Sequence, residues 1–393
     1  MGRSLVVNLL VLALALVVAA TVVGLVVLWP RDRTLDPPAA LRRANTERAE
    51  VRAVSAAQCP APGQSGCRRV ELELESGPDE GRRVGITVFE STEVLPLEPG
   101  DAVRVSPNRL PEGAEIGGVA VEPYTLADFE RRVPLVWLSV LFAALVLVTG
   151  RWQGLRALLG LAASLAIVVG FVVPAILDGR SPEGVALVGA LAVMLVTLAL
   201  AHGPGVKTLA AALGTAVALV LTLGLASLFA DLAHLTGLSS DEAVFLRATV
   251  GEVSIQGLLL AGVVIAALGV LDDLTVSQSS TVLALRRANP ALGFQALFRG
   301  ALAVGRDHIT ATVNTLVLAY VGASLPVLLI FSLAGTSFGD AVNSEAVAEQ
   351  VVATLVGSIG LIAAVPTTTA LAALLATRVD RSRLADAHAG HAH

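Results

Sequence analysis

QGLLLAGVVIAALGVLDDLTVSQSSTVLALRR, residues 256–287, sets the reading of this chain. The stretch opens apolar, meets Asp272 and Asp273, runs through the polar segment Thr275–Thr281 and closes on Arg286 and Arg287. From Gln256 to Asp272 is ~24 Å along a helix, and from Asp273 to Arg286 is ~20 Å. One unbroken helix over 256–287 is therefore longer than a bilayer core of ~30 Å requires. On that reading the aspartates lie inside the membrane, in the half nearer the arginines. The competing reading ends the span near Leu271 and leaves the pair as a cap at the boundary.

The rest of the sequence has the same character. Of 393 residues, 55% are hydrophobic and 15% charged, against about 25% charged in a soluble domain. This balance excludes a cytosolic enzyme, a nucleic-acid binder and a disordered chain, and it points to a polytopic membrane protein. Residues 5–29 carry no charge and read as an uncleaved anchor, being longer than a signal-peptide core. Seven further apolar stretches follow, at 134–150, 157–177, 184–201, 208–230, 254–276, 308–333 and 350–376. The expected class is an all-α polytopic protein of eight transmembrane helices, with a small OB-like extracytoplasmic β-barrel between helices 1 and 2. The expected domains are 1–29 (anchor), 30–132 (external), 133–377 (seven helices) and 378–393 (cytoplasmic tail).

Charge in the short loops sets the orientation. One side collects Arg3, Arg151, Arg156, Lys207, Arg286, Arg287, Arg299, Arg306, Arg378, Arg381 and Arg383. The other holds only Arg180 and Arg247 among bases, with the acids Asp178, Glu183, Asp231, Asp241, Glu242, Glu252, Asp340, Glu345 and Glu349. Both termini are thus expected in the cytoplasm, with residues 30–132 outside.

The insert carries 32 of the 59 charged residues. After a Pro/Arg-rich linker from Arg31 to Arg48, its pattern has period two: Val70, Leu72 and Leu74, then Val84, Ile86 and Val88, then Val103 and Val105. Cys59 and Cys67 bracket a loop containing Pro60, Pro62 and Gly63. An oxidising compartment makes a disulfide the expected state, as a structural staple.

Intramembrane ionisable groups are functional candidates by default. Adjacent aspartates on a helix diverge by about 100°, so Asp272 and Asp273 are expected to serve different surroundings. A low-dielectric site disfavours a charged carboxylate, which suits a proton relay. Gln278 extends the polar content of this helix. In the next span Asp307, Thr310, Asn314 and Leu318 share a face beside Thr315. Asn314 and Thr315 are expected to hydrogen-bond an aspartate, or to act as plain interhelical glue. Asp307 and His308 are either a titrating pair at the cytoplasmic mouth or ordinary interfacial charge. Pro174, Pro326 and Pro366 are candidate helix breaks. Segments 231–253 and 291–304 are partly amphipathic and are expected to lie along the membrane surface. The tail histidines 388, 391 and 393 read as part of a short tail rather than a metal site. No zinc pattern, phosphate loop or serine-nucleophile motif is present. No metal, cofactor or catalytic residue is expected, and adjacent aspartates cannot form the facing pair of an aspartyl protease.

The stretches AHGPGVKTLAAALGT, DLAHLTGLSSDEA, ALGVLDDLTVSQSSTVLALRRANP and GRDHITATVNTLVLAYVGASLP resemble the YibE/F family of bacterial membrane proteins, over Phe129–Phe331. The resemblance implies a multi-pass membrane protein and a permease label, without a defined activity. More distantly, the DDLTVSQSS helix is similar to the relay helix of resistance-nodulation-division and SecD/SecF transporters, which implies a proton role for Asp272 and Asp273. Those transporters insert a large domain where this chain has only the short Asp178–Glu183 loop, and they usually pair two six-helix units. A homodimer is one expected assembly. The leading expectation is a proton-coupled permease for an unknown small solute. The alternative is a membrane scaffold or assembly factor whose external domain binds an envelope partner.

Overall fold

A computed structural model describes residues 2–31, 46–59, 66–89, 96–108, 115–116, 119–250 and 253–379. Most of the Pro/Arg-rich linker, Pro60, Pro62, Gly63, Glu252, Arg381, Arg383 and the tail with His388, His391 and His393 lie outside them. The chain divides into two compact units, residues 36–145 and residues 1–35 with 146–393.

In the smaller unit β1 (Glu47–Ala57) is central. It pairs antiparallel with β2 (Cys67–Leu74) and with β4 (Ala102–Pro107). β3 (Arg83–Phe89) extends the sheet beyond β2, and β7 (Tyr124–Phe129) beyond β4, giving the order β3-β2-β1-β4-β7. A two-stranded hairpin, β5 (Glu115–Ile116) with β6 (Val119–Ala120), stands apart. Alternation puts Val51, Val70, Leu72, Leu74, Ile86, Val103 and Val105 on one buried face. Glu122, just before β7, reaches the far edge. Its carboxylate accepts from Thr87 N on β3 at 2.6 Å and from Arg69 Nη1 on β2 at 2.6 Å. The curled sheet is held together there by one side chain. Tyr124 is buried and donates to Asp79 Oδ2 at 2.9 Å. Burial first, then that bond, push its phenol above the usual tyrosine range.

Cys59 and Cys67 form the expected disulfide, with Cα atoms 5.2 Å apart, between β1 and β2. Closing so short a loop removes about 2–3 kcal/mol of unfolded-state freedom. Cys59→Ser is therefore expected to destabilise the smaller unit by that amount, read as faster proteolysis within residues 46–130 of the full chain in detergent.

The larger unit is helical. α1 (Gly2–Val27) comes first, and α2 (Arg132–Ile167) bridges the two units along the chain. Then follow α3 (Val173–Leu177), α4 (Pro182–His202), α5 (Val206–Leu232) and α6 (Asp241–Thr249). The last are α7 (Ile255–Ala288), α8 (Phe294–Ala323), α9 (Leu325–Leu333), α10 (Phe338–Asn343) and α11 (Glu345–Arg378). Among the described residues six helices are long and apolar enough to cross a membrane, or seven if the bent pair α8–α9 is one span. This is a multi-pass membrane protein.

The count differs from eight because Arg132–Leu177 registers as one stretch of 46 residues. That stretch holds two expected spans and leaves helical geometry at Arg151, at φ 48° and ψ −125°. The Val146 carbonyl lies where a Cβ on Gly154 would be, so only glycine fits beside the break. The expected surface segment 291–304 is corrected: from Phe294 it is the first part of α8, continuous with the next span. Segment 231–253 contains the short helix α6, with Val244 and Phe245 exposed. The prolines act differently. Pro174 opens α3 after a π-helical turn, Pro326 opens α9 beyond a 59° bend, and Pro366 lies inside α11.

α5, α7 and α11 pack on one another. α4 packs on α5 and α7, α8 on α7 and α11, and α1 on α4, α5 and α11. The α5–α11 contact is antiparallel and reciprocal. Gly214 on α5 receives Thr368 of α11, and Gly360 on α11 receives Thr222 of α5, each where a Cβ would collide with the threonine hydroxyl. Ala218 and Ala364, both buried, lie midway between these contacts in each helix. Small residues let membrane helices approach closely, where packing rather than water drives association. Gly214→Leu is expected to cost about 1–3 kcal/mol by overpacking, seen as a lower aggregation temperature in detergent. Gly269→Leu, at a site with no atom within 4 Å of its added Cβ, is the control with little change.

Candidate functional site

α7 is unbroken from Ile255 to Ala288. This agrees with the expected continuous helix over 256–287. Asp272 stands about 26 Å from the start of α7 and about 24 Å from its end. It is half-buried, while Asp273 is exposed, as the 100° step between neighbours requires.

Asp272 Oδ2 accepts from Thr197 Oγ1 on α4 at 3.3 Å, a long bond. Its other oxygen, Oδ1, is buried without a hydrogen-bond partner. Among the described residues no cation forms an ion pair with Asp272. One turn on, Thr275 Oγ1 lies 2.8 Å from Thr215 Oγ1 of α5, both fully buried, and 3.2 Å from the Asp272 carbonyl. Gln278 is 2% exposed. Its Nε2 donates to the Ala301 carbonyl of α8 at 2.8 Å and to Thr369 Oγ1 of α11 at 2.8 Å. Gly305 of α8 closes over this amide and over Val365, with no room for a side chain.

A polar seam thus runs through the helix interfaces. Thr222, Asp272, Ser279, Glu349, Ser358 and Thr368 each keep a buried side-chain oxygen without a partner, and all six lie on α5, α7 or α11. Buried polar groups are normally bonded, and exceptions in native structures mark strain, function or hydration.

The other expected residues are placed elsewhere. Asp307, Asn314 and Thr315 are exposed, and His308 is half-buried. Thr315 Oγ1 donates to the Ala311 carbonyl of its own helix, and neither Asn314 nor Thr315 bonds an aspartate. The physical reason is rotation: α8 turns Leu297, Ala301 and Gly305 inward, and the Asp307–Asn314 face then points away from the core. Sequence reading missed Thr197, Thr215, Thr368 and Thr369. Thr222 was missed as well, and the signal for it and for Thr368 was a glycine and a threonine eight residues apart, Gly214–Thr222 and Gly360–Thr368, on two different helices.

The helix ends carry a charge asymmetry. Gln256 Nε2 donates to Asp231 Oδ1 at 3.2 Å, and Glu183 lies against Gly257. Glu345 accepts from Thr236 Oγ1 at 2.8 Å and from Gly237 N at 2.9 Å. The acids therefore gather at one end of the bundle. At the other end Arg287 acts electrostatically on Lys207, and Arg286 Nη1 donates to the Pro290 carbonyl at 2.6 Å.

A family model described as YibE/F-like protein matches residues 138–378, more than half of the chain. The chain belongs to the YibE/F family. No curated protein and no solved structure matches it. The YibE/F match covers α4, α5, α7, α8 and α11, so every residue of the polar seam lies inside it.

If the Thr215–Thr275 bond joins α5 to α7, replacing both with Val leaves no hydroxyl stranded. The double variant is expected to retain more stability than the sum of the single losses, with a coupling of about 0.6–1.7 kcal/mol. A thermal-stability double-mutant cycle in detergent reads it.

Proposed function

We propose that this YibE/F protein is a proton-coupled permease in which Asp272 carries the proton. One observation carries the reading. A carboxyl half-way along a helix longer than the bilayer core has one long bond, one bare buried oxygen and no cation partner among the described residues. Such a group needs a counter-charge, and a proton is the smallest. Thr197 of α4 bonds the carboxylate, and one turn on the Thr215–Thr275 pair of α5 and α7 adds hydroxyls able to pass protons through water.

Asp273 serves a different surface. It shares an exposed face of α7 with Gly262, Ala266 and Gly269. Small residues along this face leave room for water or a small solute next to the carboxylate. The solute pathway is assigned there, or to the same face covered by a second copy in a homodimer.

The membrane arrangement follows from the charges. The arginine-rich end is assigned to the cytoplasm and the acidic end to the outside of the bacterial inner membrane. Both termini are then cytoplasmic, and residues 30–132 extracytoplasmic. Eight crossings result if the chain crosses once before Arg151 and once after it. The strand order β3-β2-β1-β4-β7, with β7 near β3, fits an OB-like half-barrel. Single cysteines at 205 and 289 are expected to react with a membrane-impermeant maleimide only in inside-out vesicles, and cysteines at 180 and 238 only in intact cells.

The decisive test is genetic. The host strain lacking the gene is complemented with wild type or with Asp272→Asn plus Asp273→Asn at matched membrane expression. Growth across external pH and envelope stresses is the readout. The double variant is expected to fail as completely as the empty vector. Full complementation would end the relay reading and return attention to the external domain as a binding surface.

A further inference from the structure

Glu349 makes no contact with Asp272, yet among the described carboxylates of the helical unit it is the least exposed to solvent, at 6%. It lies one turn inside the acidic end of α11. Ser239 Oγ donates to Glu349 Oε2 at 2.5 Å, and Oε1 is buried with no partner. One turn earlier, Glu345 accepts from the backbone N–H of Thr236 and of Gly237 and from the Thr236 hydroxyl. Two carboxylates of one helix therefore clamp the segment after α5, and both are acceptors. That segment is tightly constrained. His234 has φ 52°, and Gly237, at φ 79°, lies against the Ile255 carbonyl.

The charges around Glu349 do not balance it. On its own helix stands Glu345, whose negative charge acts on it directly. At the end of α5 and in the following segment the titratable groups are Asp231 and His234, both exposed. α8 contributes Tyr320, which packs against the same buried cluster as Ala348 and Val352 of α11. α10 contributes Asp340, bonded to Ser337. The start of α7 presents the neutral Gln256, and the described side chains of α1 carry no titratable group. Among the described residues no lysine or arginine forms an ion pair with Glu349. A second carboxylate four residues away in a buried site favours a proton on one of the two. Glu345 has three donors to its charge, and Glu349 has one.

We propose that Glu349 is a second proton-binding site, the port through which protons reach or leave the seam at the acidic end of the bundle. Ser358, ~14 Å further along α11, and Thr222, seated against Gly360, are the next groups with unpartnered buried oxygens. They lead toward the level of Asp272. The path rests on the permease reading, but proton binding at Glu349 is measurable without it.

The test uses the full chain in lipid. Infrared difference spectra between acidic and alkaline buffer report carboxyl groups that take up a proton. The expected result is a protonated-carboxyl band that disappears in Glu349→Gln, returns in Glu349→Asp and persists in Glu345→Gln and Asp272→Asn. Dicyclohexylcarbodiimide, which attacks protonated carboxyls in apolar surroundings, is expected to label Glu349 by mass spectrometry. A spectrum unchanged by Glu349→Gln overturns the proposal, whatever the carbodiimide does. The two readings fail separately. Complementation by the Asp272/Asp273 double Asn variant with the Glu349 band intact removes the relay alone. An unchanged Glu349→Gln spectrum, with the double variant still inactive, removes the port alone.

Discussion

The antiparallel contact of α5 and α11 is the constraint on which the rest of the bundle depends. Two glycines remove the side chains that would hold the helices apart, and two threonines fill the space reciprocally. At this distance α7 lies against both helices, and its polar residues meet theirs: Thr275 meets Thr215, and Gln278 meets Thr369. In lipid there is little hydrophobic force between helices, so close packing and hydrogen bonds supply the association. The same closeness that stabilises the bundle places hydroxyls and an amide at its centre.

That arrangement leaves six buried oxygens of α5, α7 and α11 without partners. A soluble core would rarely tolerate them, because each unmade bond costs about 1–3 kcal/mol. Their concentration on three mutually packed helices argues for a common purpose. A hydrated polar file between a mid-membrane carboxyl and an acidic outer end is the arrangement we propose. The sheet of the smaller unit is built on a different principle. Its apolar alternation makes a core of its own, Glu122 ties its far edges, and the disulfide joins the ends of β1 and β2.

Much of this was legible in the sequence because it depends on local composition. Apolar length identified the helices, and period-two alternation identified β2, β3 and β4 with their buried faces. Two cysteines eight residues apart announced their bond. The continuous helix through Asp272 and Asp273 followed from the spacing between Gln256 and Arg287. The partners of that helix were not legible. Asn314 and Thr315 looked suited to an aspartate, yet α8 turns them outward. Thr197 and Thr215, unremarkable in apolar runs, are the residues that face it.

The sequence alone determined a multi-pass membrane protein of the YibE/F kind, most of its long helices, its charge asymmetry and a separate β unit. These are properties of single segments, set by transfer of side chains into lipid and by the periods of helix and strand. Only the tertiary structure decided which polar groups share an interior. That choice depends on the rotation of each helix about its own axis, which the close contacts at Gly214, Gly305 and Gly360 fix. A rotation of 100°, one residue on the helix, separates half-buried Asp272 from exposed Asp273.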